Sequence, residues 1–125
     1  MSNHMVSSRL FKDQFSTEEM RAVFSDENLI QKWIDTEIAI AEAEADLGII
    51  PKEAAQEIKK KGNAEIFDFD RIKKGIDKSW HPLISFIHEY ESLCDNGYGE
   101  YIHWGATTQD IMDTGAILQI RDGLK

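Results

Sequence analysis

Cysteine, proline and positive charge are all scarce in this chain, and each shortage removes a class of function. A single cysteine, Cys94, stands in 125 residues, so no internal disulfide can form and the composition fits a reducing, cytoplasmic setting. Two prolines and a charged fraction of 30% argue against a long disordered tract. Lysine and arginine total 14 against 23 acids, a formal net charge of -9. A surface that acidic repels phosphate backbones, which excludes nucleic-acid binding as a main function. A small anionic ligand is not excluded, because it responds to local donors more than to distant net charge. No apolar run approaches membrane-spanning length and no signal peptide is visible, so no membrane partner is expected. A Gly-x-Ser-x-Gly elbow and a glycine-rich phosphate loop are also missing. No cofactor is expected.

What the chain does contain is helical periodicity. Residues 1–5 (Met-Ser-Asn-His-Met) are set aside as a cloning remnant, and residues 6–125 read as one helical domain, all-α, with five or six helices. Val6 to Phe15 reads as an extended lead-in. Ser16-Thr17-Glu18-Glu19 forms a capping box, which starts a short helix near Thr17 that runs to about Phe24. Ser25 caps the next and longest helix, about 26–47. There Ile30, Ile34, Ile38, Ala41 and Ala45 recur at three- and four-residue steps, and Leu29, Trp33, Ile40 and Leu47 widen the apolar face. A helix of about 22 residues is roughly 33 Å long and serves as the scaffold. Gly48 and Pro51 end it, and Pro51 opens a helix that continues to Lys61. Asp68-Phe69-Asp70 caps another through about Ile76. His81-Pro82 begins a further one, with Leu83, Ile84, Ile87, Tyr90 and Leu93 as its stripe. Asp95 to Gly99 is a turn-rich loop, and the last helix runs from Thr108 to the end.

The stretch Tyr101-Ile102-His103-Trp104-Gly105-Ala106-Thr107-Thr108-Gln109-Asp110 is the densest in useful polar groups. Thr107 or Thr108 can cap the last helix, and Thr107 with Asp110 fits a capping-box spacing. Gly105 allows a tight turn ahead of it. Unsatisfied N–H groups and the helix dipole make such a start attractive to anions. The expectation is that a substrate carboxylate or phosphate sits here.

His81 and His103 both precede helix starts, and either could be a general acid, a general base or an anion donor. Each could equally be a hydrogen-bonded structural histidine at a helix boundary. His88 sits inside a helix and reads as structural or exposed. His81, His88, Asp110 and Asp113 show no metal-ligand spacing, so no metal is expected. Cys94 has no base beside it in sequence, which leaves a nucleophilic triad without support. Glu37, Glu42, Glu44 and Asp46 read most simply as a solvated face, with Glu37 alone near the apolar stripe.

His103-Trp104-Gly105-Ala106-Thr107-Thr108-Gln109-Asp110-Ile111-Met112-Asp113-Thr114 closely resembles the first signature region of the fumarase/aspartase superfamily. The match is to the branch holding adenylosuccinate lyase and 3-carboxy-cis,cis-muconate cycloisomerase. Residues 37–53, from Glu37-Ile38-Ala39 to Pro51-Lys52-Glu53, are similar to that branch's long N-terminal helix and the turn after it. Trp80-His81-Pro82-Leu83-Ile84 is placed where adenylosuccinate lyases carry a histidine before an apolar helix. The resemblance implies a homotetrameric lyase that removes a proton beside a carboxylate and expels an amine, releasing fumarate, with each active site shared by three subunits. It implies substrate binding by His103, Thr107, Thr108 and Gln109, and a catalytic or phosphate-holding role for His81.

Family members are several times longer. The central helical bundle, the second-region histidine that acts as general acid and the serine loop that supplies the base have no counterpart here. The resemblance therefore implies the N-terminal domain alone, inactive by itself. His81 leans towards adenylosuccinate lyase and a purine-biosynthetic role, whereas the Trp104-Gly105-Ala106 wording leans towards the cycloisomerase group. A non-catalytic helical interaction module is the competing class.

Overall fold

The computed structural model describes residues 4–125; residues 1–3 of the segment set aside above lie outside it. The described residues form helices and no strand, with short 3-10 turns at Met5–Ser7, Ala64–Ile66 and Tyr98–Tyr101. The α-helices are α1 Lys12–Phe15, α2 Glu18–Val23, α3 Asp26–Asp46, α4 Lys52–Lys60, α5 Phe69–Ser79, α6 Ile84–Leu93 and α7 Thr108–Gly123.

The helix starts follow the capping residues. Thr17 accepts the Met20 N–H, Ser25 the Asn28 N–H and Asp68 the Arg71 N–H, each satisfying a first-turn donor that has no carbonyl to reach. The extended lead-in expected over residues 6–15 is corrected: it holds a 3-10 turn and α1, which brings the α-helices to seven. The cause lies outside the segment, because Arg21 of α2 reaches back to Asp13 at 2.9 Å and to the Ser16 hydroxyl at 2.7 Å. Two further boundaries move. The α5 helix extends to Ser79, where Trp80 ends it in a left-handed conformation (φ 55°). The helix expected from His81 begins at Ile84.

The core gathers on one side of α3. Ile30, Trp33, Ile34, Ala41 and Ala45 are buried against Ala55 and Ile58 of α4, Phe86, Ile87 and Tyr90 of α6, and Ile111 of α7. Phe86 takes Trp33 edge-on at 5.5 Å and stacks on Phe67 at 5.8 Å, geometries that suit the ring quadrupoles. Tyr90 is fully buried and its hydroxyl donates to the Ile58 carbonyl; burial pushes that phenol well above its usual range. No helix among the described residues is long and apolar enough to cross a membrane.

The last helix, α7, lies antiparallel along α3. Gly105, just ahead of it, is beside Glu44, Gly115 faces Trp33, and Asp122 pairs with Lys32 at 2.7 Å. Gly115 is what permits the close approach, since a Cβ there would stand 2.7 Å from Trp33 Cδ1. The packing of α7 on α3 thus sets where the residues before α7 must lie.

Two substitutions test this core. Ile34→Ala deletes a side chain with no exposed surface and is expected to cost about 3 kcal/mol in urea unfolding. Gly115→Ala gains helix propensity but crowds Trp33, for a net loss of about 1–2 kcal/mol in the same measurement.

Candidate functional site

The loop between the Tyr98–Tyr101 turn and α7 is built on one anchor and two left-handed residues. Ile102 is buried and pins the loop to the core. His103 (φ 63°) and Gly105 (φ 70°) flank Trp104. A left-handed histidine is uncommon and persists where its surroundings hold it. Trp104 is half exposed and packs on Tyr101 at 5.8 Å between ring centroids.

What holds His103 is Glu37. The imidazole Nδ1 lies 2.7 Å from Glu37 Oε1, and the side chains are 14% and 0% exposed. The second carboxylate oxygen of Glu37 has no hydrogen-bond partner among the described residues, and neither has Oε2 of Glu44, two turns further along α3. Burial pushes the Glu37 carboxyl above its usual range, while the His103 hydrogen bond and charge pull it back and Glu44 adds to the rise. Burial raises Glu44 as well.

Beyond the loop, Thr107 is the N-cap of α7, and the Asp110 carboxylate accepts its N–H at 3.1 Å, half of a capping box. The next N–H groups, of Thr108 and Gln109, have no carbonyl to reach inside the helix. Thr107 and Gln109 are exposed and Thr108 is half buried. The Gln109 amide donates to Asp113 at 2.6 Å, so that contact must open for it to reach a ligand. The two open N–H groups and the hydroxyls of Thr107 and Thr108 are donors of the kind an anion needs.

His81 is placed differently. Its Nδ1 accepts the N–H groups of Leu83 and Ile84 at 3.2 and 3.3 Å, so the imidazole caps α6 as a serine would elsewhere. No hydrogen bond joins it to His103 among the described residues. The Tyr98–Tyr101 turn packs at the other end of α6, where a Cβ on Gly99 would stand 2.6 Å from the Glu91 carbonyl. His88 is exposed and lines a groove between α5 and α6 with Arg71, Lys74 and Lys78; no residue of the His103 loop lines it. No cluster of metal-ligating side chains is present among the described residues.

The reading of the α3 acids as a solvated face is corrected for Glu37, which is buried, and for Glu44, which is partly so; Glu42 is exposed and paired with Lys59. Glu37 was the legible one. It occupies the core register between Ile34 and Ala41, where a charge demands a partner.

Comparison with known proteins bears on the whole chain. No family model matches it. It is 41% identical over 98% of its length to N-acetyl-S-(2-succino)cysteine lyase of Enterococcus italicus. It is 39% identical over 90% of its length to adenylosuccinate lyase of Methanocaldococcus jannaschii. These matches cover 27% and 24% of those proteins. The crystal structure of β-carboxy-cis,cis-muconate cycloisomerase from Acinetobacter calcoaceticus superposes with a TM-score of 0.86 at 33% identity, over 93% of this chain and 28% of that one. The chain thus spans about a quarter of the length of each of these relatives.

Removing the imidazole gives a pH-dependent loss. Because burial raises the Glu37 carboxyl, the folded chain holds that proton more tightly than the unfolded one. The group's stabilising contribution is therefore present below its ordinary value of 4.5 and is lost as pH rises through the raised value. His103→Gly keeps the left-handed conformation free of strain and removes the partner that pulls the value down. Unfolding by urea is expected to show a loss of about 3 kcal/mol at neutral pH, shrinking as the pH falls far enough to protonate Glu37.

Proposed function

This chain belongs to the fumarase/aspartase superfamily, in the branch of adenylosuccinate lyase and 3-carboxy-cis,cis-muconate cycloisomerase, and we propose that it anchors the substrate of an elimination lyase. The observation that carries this reading is the start of α7, where Thr107 caps the helix and the N–H groups of Thr108 and Gln109 have no carbonyl to reach, a few residues after a histidine held on Glu37. The names of two relatives, adenylosuccinate lyase and N-acetyl-S-(2-succino)cysteine lyase, share a succinyl group. The substrate class proposed is a succinyl conjugate, and the leading reaction is cleavage of a C–N bond with release of fumarate.

In such an elimination a proton leaves the carbon beside a carboxylate, charge builds on that carboxylate as an aci-anion, and the bond to the leaving group then breaks. Donors fixed in place before the charge develops stabilise it without rearrangement. Thr107, Thr108 and the open N–H groups at the head of α7 hold the carboxylate, with His103 beside them and Gln109 as a further contact. His81 assists proton transfer or holds a phosphate through Nε2, since Nδ1 is taken by the α6 cap. The general acid and base come from other parts of a longer protein, in which residues 6–125 form the N-terminal domain and a homotetramer assembles each site. The 125-residue chain alone is inactive. A cytoplasmic location fits its single cysteine.

Two other readings have an observation behind them. A cycloisomerase is supported by the superposition with a TM-score of 0.86. A helical interaction module is supported by Trp80, 92% exposed, and by Ile117 and Ile120 on α7 and Leu124 at its C-cap, all exposed.

Titration of fumarate against the labelled chain decides the anchoring role. Amide shifts are expected at His103, Thr107 and Thr108, and no fumarate should form from adenylosuccinate. Each of Thr107→Ala and Thr108→Ala is expected to weaken fumarate binding by about 1.5–3 kcal/mol, roughly tenfold to a hundredfold. Shifts absent from these residues would remove the anchoring role.

A further inference from the structure

We infer that Glu37 is the positioning residue of His103, holding the ring with its Nδ1 proton on the buried carboxylate so that Nε2 alone is presented to the substrate. The inference rests on the anchoring reading above and gives it a chemical condition. Its grounds are geometric. The Nδ1–Oε1 distance is 2.7 Å, Glu37 is 0% exposed and the histidine side chain 14%. With Glu37 ionised the carboxylate only accepts, and the nitrogen facing it carries the proton. The other Glu37 oxygen has no partner among the described residues, and no lysine or arginine there pairs with Glu37. The imidazole is the one group that answers this buried charge.

With Nδ1 committed inward, the outward Nε2 has two states. In neutral His103 it is a bare lone pair, which repels a carboxylate and could take a proton. In the imidazolium it is a donor, and the two ring N–H groups then bridge Glu37 and the bound anion. In that second state the new positive charge faces the Glu37 carboxylate at 2.7 Å. The other titratable groups coupled to Glu37 are Glu44 on α3 and Tyr90 on α6. Neither of them is a cation. Binding of a carboxylate therefore draws a proton onto His103, and affinity falls as pH rises through the imidazole range.

The tautomer can be read without any ligand, by long-range proton–nitrogen correlation on the chain labelled in its histidine rings. At about pH 8, where a free imidazole is neutral, His103 is expected in the Nδ1–H form alone. An Nε2–H form, or an average of the two, overturns the inference. Glu37→Leu, close in volume and uncharged, is expected to release the ring towards the Nε2–H form of free histidine. An unchanged tautomer in that variant overturns the role and leaves Glu37 a structural acid. Should Glu37→Leu fail to fold, the near-isosteric Glu37→Gln serves with fumarate as probe. The native chain is expected to bind fumarate about tenfold more tightly at pH 6 than at pH 8, and Glu37→Gln to lose most of that difference. Equal dependence in both chains overturns the inference. A fixed Nδ1–H tautomer released by Glu37→Leu upholds the positioning role even where fumarate does not bind, a result that overturns only the anchoring reading.

Discussion

The hydrogen bond between Glu37 and His103, 2.7 Å long, ties the middle of the longest helix to a loop 66 residues further along the chain. A carboxylate buried without a partner is strongly destabilising, so the helix and the loop are not independent. The demand is met locally by unusual backbone. His103 takes a left-handed conformation, Gly105 takes another, and Ile102 is sunk in the core just before them. The same loop leads into α7, which lies close on α3 because Gly115 has no side chain to set against Trp33. The start of α7 is therefore held from two directions, by helix packing along α3 and by one buried charge beneath the loop.

Much of the fold was legible because its signals are local. Thr17, Ser25 and Asp68 cap the helices that follow them, and the stripe of Ile30, Ile34, Ala41 and Ala45 marks the buried face of α3. The misreadings share one cause, which is that the deciding partner lies elsewhere in the chain. Residues 12–15 show no capping signal, yet Arg21 reaches back from α2 to fold them against it. The helix expected from His81 starts three residues later because the imidazole spends its Nδ1 on the N–H groups of Leu83 and Ile84. Glu37 was visible only as an acid in an apolar register. That it is buried, and what buries it, depends on a loop that periodicity does not connect to it.

The two histidines show how far sequence context can mislead. Each follows a tryptophan or precedes one, and each lies just before a helix. At His81, Nδ1 must be an acceptor, because it receives two backbone N–H groups. At His103, the tautomer inferred above puts the proton on Nδ1, facing the Glu37 carboxylate. On that inference the same ring carries opposite tautomers at two helix boundaries. The His81 geometry stabilises a helix start whether or not a ligand exists, whereas the His103 geometry leaves a buried acid half satisfied.

The anion site proposed for a chain of net charge -9 needs a reason why local donors prevail. Three acids around the loop are partly disarmed. Glu37 is paired with His103, burial favours the neutral form of Glu44, and Asp110 is turned onto the Thr107 N–H. The head of α7 still offers the N–H groups of residues 108 and 109, together with a dipole worth about half a positive charge. One carboxylate can be met in this way. A dicarboxylate brings a second charge, and among the described residues no lysine or arginine pairs with Glu37, Glu44 or Asp110. His103 is the one cation the loop can supply, and only when it takes up a proton. The second charge has to be met by donors from outside the loop, which is the condition a site shared between subunits would satisfy.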